Sequence, residues 1–299
     1  MPAPLLTRRA LLGTVALPWL AGCATPLPLG QPPAGDATAA ARLRESAEAH
    51  GLAAYRRLSD INVGYGGRWR PFVGRLQPEL VDAGFRGSSQ ERLMPAAGVC
   101  GQSYAGPLGR KQVWWRRGRT PGSEADTGEV AVWFNDVRSS DLAAQQAAAL
   151  AAEAYGLFLL GPLWLADRKL PMAMGQSERV NGHLCDVIDI WLSPGLGQVA
   201  TDRVALFIDR NDSIMRRVRF TLEGLASTRG AVAEVDTFDH ERRFGVLWPM
   251  RSFERLVRPL PLPVHDWHVT GLDVNRGYAA QALSGPVFTG AAAAPARPL

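Results

Sequence analysis

The strongest constraint on this chain is a succession of strand patterns separated by turn residues and interrupted once by helix. Ile61 to Pro71 alternates in part, and strand-like stretches follow at Gly84 to Leu93, Gly101 to Tyr104, Lys111 to Arg117 and Glu129 to Phe134. Ser139 to Ala154 then reads as an Ala-rich helix with Asp141 as its cap, and Tyr155 to Leu165 as an apolar run broken at Gly161-Pro162. Strands resume at Gln176 to Val180, His183 to Leu192, Asp202 to Asp209, Ile214 to Glu223, Gly230 to Phe238 and Gly245 to Val257. Asn181-Gly182 is a hairpin dipeptide and Asp209-Arg210-Asn211-Asp212-Ser213 a turn, so consecutive strands run antiparallel. Within Ile214 to Glu223, Ile214, Val218, Phe220 and Leu222 share one face, and Met215, Arg217, Arg219, Thr221 and Glu223 the other. A helix from Ala39 to about Leu58 opens the domain. The economical reading is one α+β domain over residues 39–283, a large antiparallel sheet with helical insertions on one side.

The first residues read as an address. Arg8 and Arg9 form a basic region, Ala10 to Leu20 a short apolar one, and Leu20-Ala21-Gly22-Cys23 follows at once, the pattern of a lipoprotein signal peptide over residues 1–22. The apolar stretch, about 11 residues interrupted by Pro18, is well under the roughly 20 that a membrane span needs. Cys23 is then the lipidated N-terminus, and the Pro- and Gly-rich residues 23–38 a flexible tether. Thr7-Arg8-Arg9 also suits a twin-arginine export signal, and ordinary secretion is equally open. Cys100 and Cys185 either pair in an oxidising compartment or stay as buried thiols. The Ala/Pro/Gly tail, residues 284–299, has nothing to bury and is expected to be disordered.

With 46% apolar and 20% charged residues the chain is globular, and its net charge of +5 is too diffuse to imply a nucleic-acid partner. His265-Asp266-Trp267-His268 is the densest cluster of potential metal ligands. On a strand, however, histidines three apart face opposite sides, so a sheet-edge or surface role is expected there instead. Asp186 and Asp189 are split the same way, and no Gly-x-Ser-x-Gly elbow exists. No catalytic residue, metal or cofactor is expected, and nothing demands an enzyme. Of Trp114 and Trp115, one must face the core and the other outward, beside Arg116 and Arg117.

Several segments together resemble the LolA/LolB-like superfamily of periplasmic lipoprotein carriers, receptors and lipid-binding lipoproteins. They are Ile61-Asn62-Val63-Gly64-Tyr65-Gly66-Gly67-Arg68-Trp69, the helix end Leu157-Phe158-Leu159-Leu160-Gly161-Pro162, and Val180-Asn181-Gly182-His183-Leu184-Cys185-Asp186-Val187-Ile188. Further pieces are Leu206-Phe207-Ile208-Asp209-Arg210, Met215-Arg216-Arg217-Val218 and Phe244-Gly245-Val246-Leu247-Trp248-Pro249. The resemblance implies a strongly curved antiparallel sheet, a half-open β-barrel, covered by helices that enclose a cavity for acyl chains. The soluble carriers lack a lipid, so Cys23 places this chain nearer the anchored receptors. By the enterobacterial sorting rule, Ala24 rather than Asp favours the outer membrane over the inner.

The expected cavity candidates are Trp69, Trp133, Leu157, Leu160, Trp164, Ile190, Trp191 and Phe220, with Leu157 to Trp164 as the lid. The expected function is a membrane-anchored, periplasm-facing lipoprotein that binds or transfers a lipid or an acylated lipoprotein. The alternative is an envelope interaction module of the same fold whose core is filled and whose partner is a protein. Cavity volume separates the two.

Overall fold

The computed structural model describes residues 27, 30–120, 125–288 and 291–296. The expected signal peptide and the expected lipidation site, Cys23, lie outside them. The chain opens with α1 (Ala37–Ala49) and α2 (Leu52–Tyr55), then β1 (Ile61–Trp69), α3 (Pro71–Leu76) and α4 (Pro78–Val81). A meander follows: β2 (Ser88–Met94), β3 (Val99–Gly106), β4 (Gly109–Arg117), β5 (Gly128–Phe134) and β6 (Val137–Arg138). The central helices are α5 (Leu142–Leu160) and α6 (Pro162–Leu165). After them come β7 (Met172–Met174), β8 (Glu178–Val180), β9 (His183–Leu192), β10 (Asp202–Asp209), β11 (Met215–Thr221), β12 (Val232–Arg243), β13 (Val246–Arg258) and β14 (Leu262–Val274). All pairings are antiparallel, and β14 joins the two meanders by lying between β1 and β13. The sheet runs β6-β5-β4-β3-β2-β1-β14-β13-β12-β11-β10-β9-β7 and does not close.

One helix dictates the shape of this sheet. Of the 19 residues of α5, 15 are buried, so the helix is apolar on every side and must be enclosed. Asp141 caps its start, accepting from the Ala143 N–H at 2.9 Å. Glu153 accepts from Trp115 Nε1 of β4 at 2.9 Å, while Phe158 meets Phe220 of β11 with ring centroids 5.0 Å apart. Those strands are seven places apart in the sheet, roughly 34 Å if it were flat, whereas a helix is about 10–12 Å across. The sheet therefore wraps around the helix. Its concave face carries Ile61, Val63, Leu93, Trp115, Ile188, Ile190, Leu206, Val218, Val235 and Trp248, all essentially inaccessible to water.

Four expectations change. The 265–268 stretch is no sheet edge: β14 is a central strand, with His265 buried on the inner face and His268 exposed on the other. Met215 turns inward, because a bulge opposite Phe207/Ile208 shifts the alternation on which the sequence reading relied. The tail returns to the sheet through backbone bonds that need no apolar side chain. Leu272 N–H donates to Ala294 O at 2.8 Å and Ala296 N–H to Thr270 O at 2.9 Å. A side chain on Gly271 would collide with this added strand, since its Cβ would lie 2.9 Å from Ala293 O. The expected tether is also partly bound: Leu27 is buried against Val187 and Phe207 on the outer face, and Trp191 Nε1 donates to Gly30 O at 3.1 Å.

Cys100 lies on the inner face of β3 and Cys185 on the outer face of β9, so both are buried free thiols. Among the described residues no helix is long and apolar enough to cross a membrane. Because Leu157 is enclosed on all sides, Leu157→Ala lowers the unfolding free energy by about 2–5 kcal/mol in urea titrations, whereas Leu142→Ala, on the exposed first turn of the same helix, stays within about 0.5 kcal/mol.

Candidate functional site

Two short helices, each opened by a proline at its first turn, cross one end of the barrel: α3 from Pro71 and α4 from Pro78. Val73 and Val81 pack with Val264 of β14, and Trp69, Phe72 and Leu256 close around them. Between these helices and the far ends of β11 and β13 lies a cavity of about 260 Å³. Its walls are almost wholly apolar, supplied by Phe72, Leu76, Leu80, Leu222, Ala231 and Leu256 among others. The polar groups at its edge satisfy one another: Ser227 Oγ donates to Gln77 Oε1 at 2.7 Å, and Thr228 Oγ1 to Leu222 O at 2.7 Å. Leu76, in the wall, and Leu260, in the adjoining hairpin, are 65% and 63% exposed, so the mouth carries an apolar rim.

Glu254 of β13 stands at the inner end of this cavity, where it also borders a void of about 30 Å³ that leads towards Tyr155 and Phe158. Burial pushes its carboxyl up to about 8, with the charge of Arg86 opposing, so at neutral pH it is mostly the uncharged acid. Arg86 donates from Nη2 to Leu80 O at 3.0 Å and lies 4.2 Å over the Tyr104 ring. Behind it a hydrogen bond of 3.0 Å joins Tyr155 Oη to His265 Nδ1. The His265 ring is stacked between Trp69 at 4.2 Å and Trp267 at 4.7 Å. Burial, helped by the Arg86 charge, holds His265 well below the usual imidazole range, so it is neutral. A second void of about 30 Å³ borders this group, and each void has room for about one water.

The structure divides the eight sequence candidates. Phe220 and Trp69 reach the inner void beside Glu254, and Trp69 also stacks on His265. Leu157, Leu160 and Ile190 are packed core, at most 1% exposed. Trp133 and Trp191 lie on the convex face, Trp191 under Arg203 at 4.3 Å. Trp164 sits at the opposite end of the barrel, under Arg117 at 4.3 Å. The expected lid, Leu157 to Trp164, is instead the plug of the barrel. The segment that covers the cavity is residues 71–81, whose sequence signal is the pair of prolines seven residues apart with Phe72, Val73, Leu76, Leu80 and Val81.

Fold and site together define a half-open antiparallel barrel, plugged by its own helix and bearing a lidded apolar cavity at one mouth. No family model matches the chain, and no curated protein does. Among solved structures, a DUF1329 family protein from Desulfovibrio piger is similar over 82% of this chain and 96% of its own, at 12% identity and a TM-score of 0.48. A LolA superfamily protein from Nitrosomonas europaea is similar over 82% and 97%, at 10% identity and a TM-score of 0.42. The lipoprotein LppX of Mycobacterium tuberculosis is similar over 64% and 91%, at 12% identity and a TM-score of 0.26. The superfamily that the sequence resembles is thus among its structural neighbours. At these identities the likeness concerns the course of the chain, and the reading of the site rests on its own geometry.

The raised carboxyl of Glu254 has a consequence for stability. A folded-state value of about 8, against an ordinary 4.5, means that the native chain holds a proton the unfolded chain has lost. This contribution is fully present below about pH 4.5 and disappears as the pH rises to about 8. The difference in unfolding free energy between the wild type and Glu254→Gln therefore falls steadily with pH across that window and is flat above it, as denaturant titrations at a series of pH values will measure.

Proposed function

We propose that this chain binds a single acyl chain, borne by a lipid or an acylated lipoprotein, in the cavity beneath α3 and α4. In this reading it is itself a lipoprotein, held through Cys23 to the bacterial envelope, facing the periplasm and with the outer membrane the favoured site. The observation that carries the binding function is the apolar cavity of about 260 Å³ with its exposed leucine rim. Pockets for small molecules usually run from about 300 to about 1,000 Å³, so this one suits one chain and not several. Each methylene buried contributes about 0.8 kcal/mol, which gives affinity without polar recognition. At the inner end the uncharged Glu254 can donate or accept one hydrogen bond, which suits a chain whose buried end is apolar or neutral.

The test is displacement of a fluorescent fatty acid from the full-length protein by fatty acids of increasing length, by a phospholipid and by a diacylated lipopeptide. Affinity should rise about fourfold per added methylene until the cavity is filled, and then level off. Ala231→Phe, which fills the cavity from its wall, should abolish binding with no loss of thermal stability. Failure of all three ligand classes to displace or bind, with the fold intact, would overturn the proposal and favour a module that docks a protein partner.

A further inference from the structure

The end of the barrel opposite the lid holds a second cavity, of about 250 Å³, whose chemistry is different. It lies where β1 begins and β2 and β4 end, whereas the apolar cavity lies beyond the end of β1. Its walls include Tyr55 and Leu58, Trp164 of α6, Arg117 of β4 and Arg168. The two guanidinium groups share one buried carboxylate oxygen. Arg117 Nε donates to Glu153 Oε1 at 2.7 Å, and Arg168 Nη1 lies 3.9 Å from the same atom. The other oxygen of Glu153 is already used by Trp115 Nε1 at 2.9 Å. Two cations thus meet one anion, and the ion pair of Arg56 with Asp167 at the rim neutralises only itself.

The excess charge is matched by an excess of donors. Arg117 Nη2, Arg168 Nη1 and Trp164 Nε1 are all buried, and none has an acceptor among the described residues. Trp164 is 7% exposed and Arg168 has 15% of its side chain exposed, so solvent does not serve them freely. Buried donors without acceptors are rare because each carries a desolvation cost, and here three side chains that line one cavity share the defect. Arg168 is fixed from its other side by donating from Nη2 to Pro194 O at 2.9 Å, and Arg117 is fixed over the Trp164 ring. Burial and the neighbouring charge of Arg117 lower Arg168 to about 10, which still leaves it a cation at neutral pH.

We propose that this second cavity is an oxyanion site that takes a phosphate group, held by Arg117, Arg168 and the indole N–H of Trp164. Donors from three separate side chains suit tetrahedrally disposed oxygens better than the flat edge of a single carboxylate. One negative charge restores neutrality around Glu153, and the apolar walls from Tyr55, Leu58 and Leu163 leave space for whatever bears the phosphate. That bearer is either a small soluble phosphate or the headgroup of an anionic phospholipid. The site is independent of the acyl cavity and of its proposed function.

The indole N–H resonance of Trp164, assigned in the full-length protein by its loss in Trp164→Phe, reports occupancy directly. The chain is titrated with inorganic phosphate and with dihexanoyl phosphatidylglycerol, against sodium chloride of matched ionic strength. A saturable shift with either supports the site. A response to phosphate assigns a soluble ligand, and a response to the lipid alone assigns a headgroup. Arg168→Gln should weaken binding by about tenfold or more, while Arg168→Lys should retain part of it. Dispersion of the remaining indole signals shows that each variant is folded. No saturable shift with either probe, or the same affinity in Arg168→Gln, would overturn the proposal.

Discussion

An α-helix with no polar face cannot rest on a flat sheet, and the architecture follows from that constraint. Because α5 is buried on every side, strands as far apart in the sheet as β4 and β11 must curve to meet it. The curvature leaves two mouths, and short elements stop each: α3 and α4 at one, α2 and α6 at the other. Glu153 is the one charged residue in the buried part of α5. By bonding Trp115 and Arg117 of β4, it fixes how the helix is rotated within its sleeve, a choice that leucine and alanine packing alone would leave loosely defined.

Much of the frame was legible in the chain. His183 to Leu192 and Asp202 to Asp209 form strands with the bounds that alternation and the intervening turns gave them. That Trp114 and Trp115 face opposite ways follows from pleat geometry, and the structure sets Trp115 inward. What could not be read depends on contacts distant in sequence. Whether Leu157 and Leu160 lid a cavity or plug it turns on how far the sheet curls, and no local pattern encodes that. The helices α3 and α4, of six and four residues, are too short to show a helical period, so Pro71 and Pro78 and the apolar residues that follow them are the signal there. The tail's hold on β14 is made by peptide groups, which every sequence has, so no side-chain pattern announces it.

The two mouths differ in electrostatic character along the same helix. Near Glu254 and His265, burial suppresses charge: the acid holds its proton and the imidazole goes without one. Near Glu153 two guanidinium groups surround one carboxylate. The barrel therefore differs end to end: at the lid Arg86 stands beside an uncharged acid and imidazole, and at the other mouth two guanidinium groups flank one carboxylate. This asymmetry comes from a few side chains, among them Arg117 of β4, Glu153 of α5, Arg168, Glu254 of β13 and His265 of β14, rather than from the net charge of the chain, which is why composition did not show it.

Leu27, buried on the outer face of β9 and β10, sets a length scale for any lipid carried on Cys23. The two positions are four residue steps apart, and an extended chain covers at most about 3.6 Å per step, so the leash reaches no farther than roughly 14 Å. In the proposed reading, with Cys23 lipidated, the outer face of β9 and β10 is the part of the domain held within that distance of the lipid.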